Sequence, residues 1–142
     1  INADPSVLAH NLETVRRLTK KVRDPRASYD QSLGVLSYLK HQSPNHYTKS
    51  SLMLGLGESR KETIKAMEDL RNVGVDFLTL GQYLQPTKKH LKVKKFIRPE
   101  EFDEFADFGF KIGFEYVASG PLVRSSYKAA DYFIERKIRK RI

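Results

Sequence analysis

The sequence predicts an α/β fold organised around a parallel sheet, and two observations carry that prediction. Stretches with apolar residues at helical spacing alternate with short apolar runs of strand length. Each short run leads into a glycine, at Gly55, Gly81 and Gly120. Alternation of this kind gives parallel strands joined by right-handed helical crossovers, so the strand ends gather on one rim. Ligands bind at that rim in parallel barrels and open α/β sheets alike, and glycine there admits a close approach to the backbone. Three predicted strands cannot close a barrel. The patterning is compatible both with the C-terminal part of a partial barrel, whose earlier strands lie outside this chain, and with a small independent open sheet.

After a short polar lead, His10 to Val22 reads as a helix, with Leu12, Val15, Leu18 and Val22 near helical spacing, and Arg23-Asp24-Pro25 ends it. A second helix starts behind Ser28, a candidate N-cap, and runs through Leu33, Leu36 and Leu39 to the Ser43-Pro44-Asn45 break. Ser50 to Leu56 is the first buried strand. Ser59 opens a helix with Ile64, Met67, Leu70 and Val73 on one face, and Gly74 stops it. Val75 to Leu80 reads as the next strand. A long loop with a basic stretch, Lys88 to Lys95, precedes the helix opened by Arg98-Pro99-Glu100-Glu101, with Phe102, Phe105, Phe108 and Ile112 inward. The last strand spans Phe114 to Ala118, and a final helix is expected from about Ala129 into a basic tail, the stretch 127–142.

With 142 residues and 39% hydrophobic content the chain suits one compact domain, or part of one. No apolar run approaches the roughly 18 to 20 residues of a membrane span. INADPS shows no targeting peptide, and Ile1 in place of Met predicts that the start of the gene product lies upstream. The net charge of +9 favours anionic partners, although much of the excess is the RKIRKR run, Arg136 to Arg141, where cations also complement a helix C-terminus. The absence of cysteine excludes disulfides, thiol catalysis and any self-contained thiolate zinc or iron–sulfur site.

Three segments carry candidate chemistry. Gly55-Leu56-Gly57-Glu58, at a strand-to-helix turn, can aim backbone N–H groups at a phosphate or carboxylate, or can simply be a tight turn; it lacks the third glycine of a dinucleotide fingerprint. His10 to Thr14 offers polar side chains around an expected helix start, for a ligand or for capping. Arg124-Ser125-Ser126-Tyr127 combines hydroxyls, a cation and an aromatic ring after the last strand, as an oxygen ligand or anion clamp, or as an N-cap. His10 and His90 have no partner at metal spacing, and no nucleophile elbow or HExxH is present.

Read in order, AHNLET (Ala9 to Thr14), VRDPRA (Val22 to Ala27), TKSSLMLGLGE (Thr48 to Glu58), TLGQYLQPTKKHLKV (Thr79 to Val93) and ASGPLVRSSYKA (Ala118 to Ala129) resemble lipoyl synthase, over about Val7 to Tyr132. VRDPRA and ASGPLVRSSYKA look most similar to the eukaryotic, mitochondrial form. The resemblance implies the C-terminal half of a radical S-adenosylmethionine enzyme on a partial (β/α)6 TIM-like barrel, one that inserts sulfur at C6 and C8 of a protein-bound octanoyl-lysine. It implies two 4Fe-4S clusters, one for cleaving S-adenosylmethionine and an auxiliary one that donates sulfur. The cysteine motifs that hold them are absent here, so this chain alone is expected to be inactive and to need the missing N-terminal half.

Carried over residue by residue, the resemblance makes Ser126 the serine ligand of the auxiliary cluster, with Ser125 second, and sets Arg124 beside it. Contacts to S-adenosylmethionine map to Asn11 and Glu13, to Gly55, Gly57 and Glu58, and to Gln82 and Tyr83. The implied partners are octanoylated lipoyl carrier domains, namely 2-oxoacid dehydrogenase E2 subunits and glycine cleavage H protein, and an electron donor such as ferredoxin, with no membrane and a mitochondrial location. The rival reading is a non-catalytic basic α/β scaffold binding RNA or an acidic protein through Lys88 to Lys95 and Arg136 to Arg141.

Overall fold

The computed structural model describes residues 7–124. Four strands, β1 (Val7–Ala9), β2 (Tyr47–Leu54), β3 (Phe77–Gln82) and β4 (Tyr116–Gly120), form one sheet in chain order, and every pair is parallel. The connections hold α1 (Thr19–Val22), α2 (Tyr29–Gln42), α3 (Arg60–Asn72) and α4 (Pro99–Lys111). Strands added always in the same direction through right-handed crossovers keep their helices on one face. The α/β expectation therefore holds, with one strand more than the sequence patterning gives.

Strand alternation divides the sheet into two unlike faces. Leu52 and Leu54 of β2, Leu78 and Leu80 of β3 and Val117 of β4 enter a core shared with Leu36, Met67, Leu70, Phe102 and Phe105 of the helices. On the opposite face the register sets Lys49 beside Phe77 and Tyr116, Ser51 beside Thr79 and Ala118, and Met53 beside Gly81 and Gly120. Apart from Met53, that second face is hydroxylic or small towards the C-terminal strand ends, at Ser51, Thr79, Ala118, Gly81 and Gly120, while Phe77 and Tyr116 flank Lys49 at its other end.

The segment expected as one helix from His10 to Val22 is helical only at its end, in a 3₁₀ turn (Arg16–Leu18) followed by α1. His10 to Glu13 instead extends along β2. The His10 N–H donates to Lys49 O (3.0 Å), the Leu12 N–H to Ser50 Oγ (2.9 Å) and the Glu13 N–H to Ser51 O (3.0 Å), while Glu13 O accepts from the Met53 N–H (2.8 Å). The open edge of β2 offers those backbone groups partners immediately, and β-branched Thr14 and Val15 give the helix little intrinsic support. Leu12, Val15 and Leu18 reach the core by this route all the same. The expected final helix from Ala129 lies outside the described residues.

Local signals set the helix starts. Ser28 Oγ accepts from the Gln31 N–H at the start of α2 (2.9 Å). At α3, Ser59 and Glu62 form a reciprocal capping box, and Glu62 also pairs with the Arg17 guanidinium (2.8 Å). Arg17 and the Ser59 backbone N–H hold the Glu62 carboxyl well below its ordinary 4.5, at about 2. At the opposite end of the sheet, Asp76 Oδ2 accepts from Lys40 Nζ (2.8 Å) and from the buried Thr48 N–H (2.9 Å), tying α2, β2 and the start of β3 together.

Two predictions follow from these contacts. Asp76→Ala leaves the buried Thr48 N–H without its acceptor and removes the Lys40 ion pair, and the expected loss is about 1–3 kcal/mol in a urea unfolding curve. Because the folded pKa of Glu62 is depressed, its contribution is complete above its ordinary 4.5 and is lost as pH falls from there towards about 2. Glu62→Gln should flatten the acid limb of a stability-versus-pH curve in that window and leave the limb above neutrality unchanged.

Candidate functional site

The polar face of the sheet opens, at the C-terminal ends of β2 and β3, into a cavity of about 380 Å³. Glu13, Ser51, Met53, Thr79, Gly81 and Gln82 line it from the sheet side, and Leu84 and the turn Pro121 to Arg124 complete the wall. Of the residues singled out by sequence, Glu13, Gln82 and Arg124 meet here. Ser125 and Ser126 lie outside the described residues.

Glu13 has φ 75°, a left-handed conformation that no other non-glycine residue adopts among the described residues. Such a backbone costs about 1–2 kcal/mol, and it persists here because the N–H and C=O of Glu13 are both bonded to β2. Two hydroxyls share the cavity. Ser51 is 3% exposed, and Thr79 is 1% exposed with an Oγ1 that has no hydrogen-bond partner. A buried hydroxyl without a partner is costly unless something else satisfies it. TKSSLML gives no alternation that marks Ser51, since Thr48 and Ser50 on the other face are polar too; the register of Ser51 with Thr79 is what places it on the cavity side.

The other sequence-selected groups hold the rim together. The Glu58 carboxylate accepts from the Gly55 N–H (2.9 Å) and the Leu56 N–H (3.0 Å), so the GLGE turn is closed by its own acid. Arg17 Nη2 donates to Gly57 O (2.9 Å). Gln82 Nε2 donates to Tyr83 O (2.9 Å) and Lys95 O (3.0 Å), and Gln82 Oε1 accepts from the Ile97 N–H (2.8 Å). Tyr83 is buried, and its hydroxyl donates to Leu91 O (2.7 Å). Asn11 is half-buried beside β2 and does not line the cavity. The close approach that the rim glycines allow is made by the chain itself. A Cβ on Gly55 would collide with Gln82 Nε2 and Lys95 O, and one on Gly81 with Val123 O.

His10 Nε2 sits 3.1 Å from Ser32 Oγ, and burial, followed by the nearby Arg23, pushes its pKa down. His90 Nδ1 is 2.8 Å from Thr87 Oγ1. Among the described residues no three His, Cys, Asp or Glu side chains gather as a metal site, and the chain has no cysteine. An iron–sulfur cluster therefore does not fit on the described residues by themselves. The cavity is lined by a carboxylate residue, a guanidinium residue and a buried hydroxyl that has no hydrogen-bond partner among the described residues, which is the chemistry of a site for a polar organic ligand.

The chain is 58% identical over 135 residues to mitochondrial lipoyl synthase of Branchiostoma floridae, covering 95% of this chain and 36% of that protein. It is 56% identical over 138 residues to chloroplastic lipoyl synthase 1 of Oryza sativa subsp. indica (97% and 37%), and 54% identical over 140 residues to the apicoplast lipoyl synthase of Plasmodium knowlesi (99% and 32%). The chain belongs to the lipoyl synthase family. No family model matches it. It spans about a third of the length of these lipoyl synthases, whose organelles differ, so membership alone does not single out the mitochondrion.

The rim geometry predicts a contrast between two glycines of the GLGE turn. Gly55→Ala meets both left-handed strain and contacts with the Gln82 side chain and the Lys95 carbonyl, so it should loosen the loop after β3, seen as faster proteolysis between Leu84 and Phe96 and a stability loss of roughly 2–4 kcal/mol. Gly57→Ala meets only Lys94 Cγ, at 3.7 Å, and should show the strain alone, about 1–2 kcal/mol, with the loop still resistant.

Proposed function

We propose that this chain is the C-terminal part of a lipoyl synthase that uses S-adenosylmethionine to insert two sulfur atoms, at C6 and C8, into a carrier-bound octanoyl-lysine. The observation that carries the reading is the 52–58% identity to lipoyl synthases over almost the whole chain. Strands added in one direction, with helices on one face and polar groups on the other, support completion of the sheet as a partial barrel by the remainder of the protein. The iron–sulfur clusters would be held chiefly by cysteines outside this chain, with Ser126 as the one ligand the resemblance assigns here, and the chain alone would be inactive. Reductive cleavage of bound S-adenosylmethionine would supply the carbon radical of the family's chemistry.

Within the cavity, the Glu13 carboxylate would accept hydrogen bonds from an amine or ribose hydroxyls, and Arg124 would pair with a carboxylate. Thr79 and Ser51 would offer hydroxyls to the same ligand. Met53, Leu84, Leu122 and Val123 would form the apolar wall that excludes water and accommodates an alkyl chain. The cellular setting is an organelle, with the mitochondrion favoured by the VRDPRA and ASGPLVRSSYKA blocks, and a ferredoxin-like protein would serve as electron donor.

The decisive assay incubates the full-length protein with an octanoyl-lysine peptide, S-adenosylmethionine and a reductant. Mass spectrometry should find two sulfur atoms gained. Cleavage of S-adenosylmethionine with no sulfur in the peptide would refute the reading. Thr79→Val tests the cavity separately: in the full-length protein it should weaken S-adenosylmethionine binding by roughly tenfold in calorimetry, the loss of about one hydrogen bond. Without ligand, the same variant should melt no lower than wild type, because it removes a hydroxyl that has no partner.

A further inference from the structure

The loop between β3 and α4 is strongly charge-asymmetric. Between Phe77 and Pro99 there are six cations, Lys88, Lys89, Lys92, Lys94, Lys95 and Arg98, and no carboxylate. Lys95 and Arg98 both pair with Glu101, at 3.4 and 3.2 Å. Lys88, Lys89, Lys92 and Lys94 are exposed and make no side-chain hydrogen bond or ion pair among the described residues. Elsewhere Arg16, Arg17, Arg26, Lys40, Arg60 and Lys65 have acidic partners, and the exposed unpaired lysines Lys20, Lys21, Lys61 and Lys111 are spread over three helices where the loop gathers four in seven residues.

The loop backbone is fixed even though these lysines are free. Tyr83 binds Leu91 O, Gln85 Nε2 donates to His90 O (3.0 Å), and the Lys94 N–H returns to Gly55 O (2.8 Å). The loop leaves the rim at Gln82 and Leu84, which line the cavity, and comes back to the same rim at Lys94 to Ile97. Leu84, Leu91 and Phe96 stand 51%, 40% and 68% exposed along it. Unpaired cations on a preorganised scaffold, with apolar side chains among them and the cavity at one end, are the features of a docking surface for an oppositely charged protein.

We infer that this loop docks the acidic face of the protein that carries the acyl-lysine, and delivers its arm into the cavity beside Leu84. The inference rests on the sulfur-insertion reading above and adds to it the recognition surface and its charge. Protein is favoured over RNA because the unpaired cations of the loop are all lysine point charges, set among the apolar side chains of Leu84, Leu91 and Phe96. Its one arginine, Arg98, is already paired with Glu101, and Phe96 is a single exposed ring where stacking of successive unpaired bases uses several.

The test uses the full-length protein, wild type and K88E/K89E/K92E/K94E, on an octanoylated carrier domain with an acidic face and on a short uncharged octanoyl-lysine peptide. At low ionic strength the variant should raise KM for the carrier by roughly tenfold or more, with kcat and all peptide kinetics unchanged. Added salt should raise the wild-type KM for the carrier and leave that of the variant nearly flat. The carrier should also protect these lysines of the wild type from acylation by a water-soluble reagent.

An unchanged KM for the carrier overturns the proposal, as does an equal loss on the peptide. Lysines that resist acylation before any carrier is added would be covered by the rest of the protein, which also overturns it. So would a variant that loses binding to poly(U) RNA while keeping its carrier kinetics. A wild type that turns over neither substrate overturns the sulfur-insertion reading and this inference together, whereas the other failures leave sulfur insertion standing.

Discussion

The strand β2 is hydrogen-bonded on both sides, and the position of nearly every functional group depends on its register. On one side it holds β1 and then the extended stretch ending at Glu13; on the other it holds β3 residue by residue from Lys49 to Leu54. Its even positions, Leu52 and Leu54, enter the helical layer, and its odd positions, Ser51 and Met53, face the cavity. A slip of one residue would exchange these sets, burying hydroxyls among leucines. The polar side chains of β2 that face the helices guard against this, because they are already bonded. Ser50 Oγ accepts from the Leu12 N–H, and Thr48 Oγ1 donates to Gly74 O (2.9 Å).

A division of labour among polar groups follows at the rim. Glu58, Arg17, Gln82 and Tyr83 satisfy backbone groups of the turns after β2 and β3, which would otherwise be partly buried without partners. That spending of side chains leaves the GLGE turn and the following loop rigid. The cavity is then lined by groups with fewer obligations inside the chain, Thr79 above all. Rigid surroundings with an unsatisfied group at the centre are what precise ligand placement requires, since the supporting residues need not move when a ligand arrives.

The sequence made the helices legible because each start carries its own chemical signal: Ser28 at α2, the Ser59 and Glu62 pair at α3, and Pro99 at α4. β1 was hidden because three residues hold too short a pattern, and Val7–Ala9 is a strand only because β2 lies beside it. The His10 to Val22 stretch misleads for a related reason. Its apolar spacing reports which residues are buried, and a chain can bury Leu12, Val15 and Leu18 by lying against a sheet as well as by coiling. Site residues divide likewise. Glu13, Gln82 and Arg124 could be picked out as motif members, whereas Thr79 and Ser51 become candidates only when strand register shows which face they occupy and which hydroxyl is left unbonded.

The composition of that face also bears on how the sheet is completed. An open parallel sheet ordinarily buries both faces under helices, which demands aliphatic side chains on both. Here the face that has no helix among the described residues carries Lys49, Ser51 and Thr79, with Lys49 only 6% exposed and in register with Phe77 and Tyr116. Among the described residues Lys49 has no ion-pair partner, and a second helical layer of leucines would leave its ammonium group stranded. A curved sheet whose inner face meets other strands and a polar ligand can instead supply partners along each row of side chains. The strand order and the chemistry of that face thus accord with the partial barrel proposed above better than with a second layer of helices.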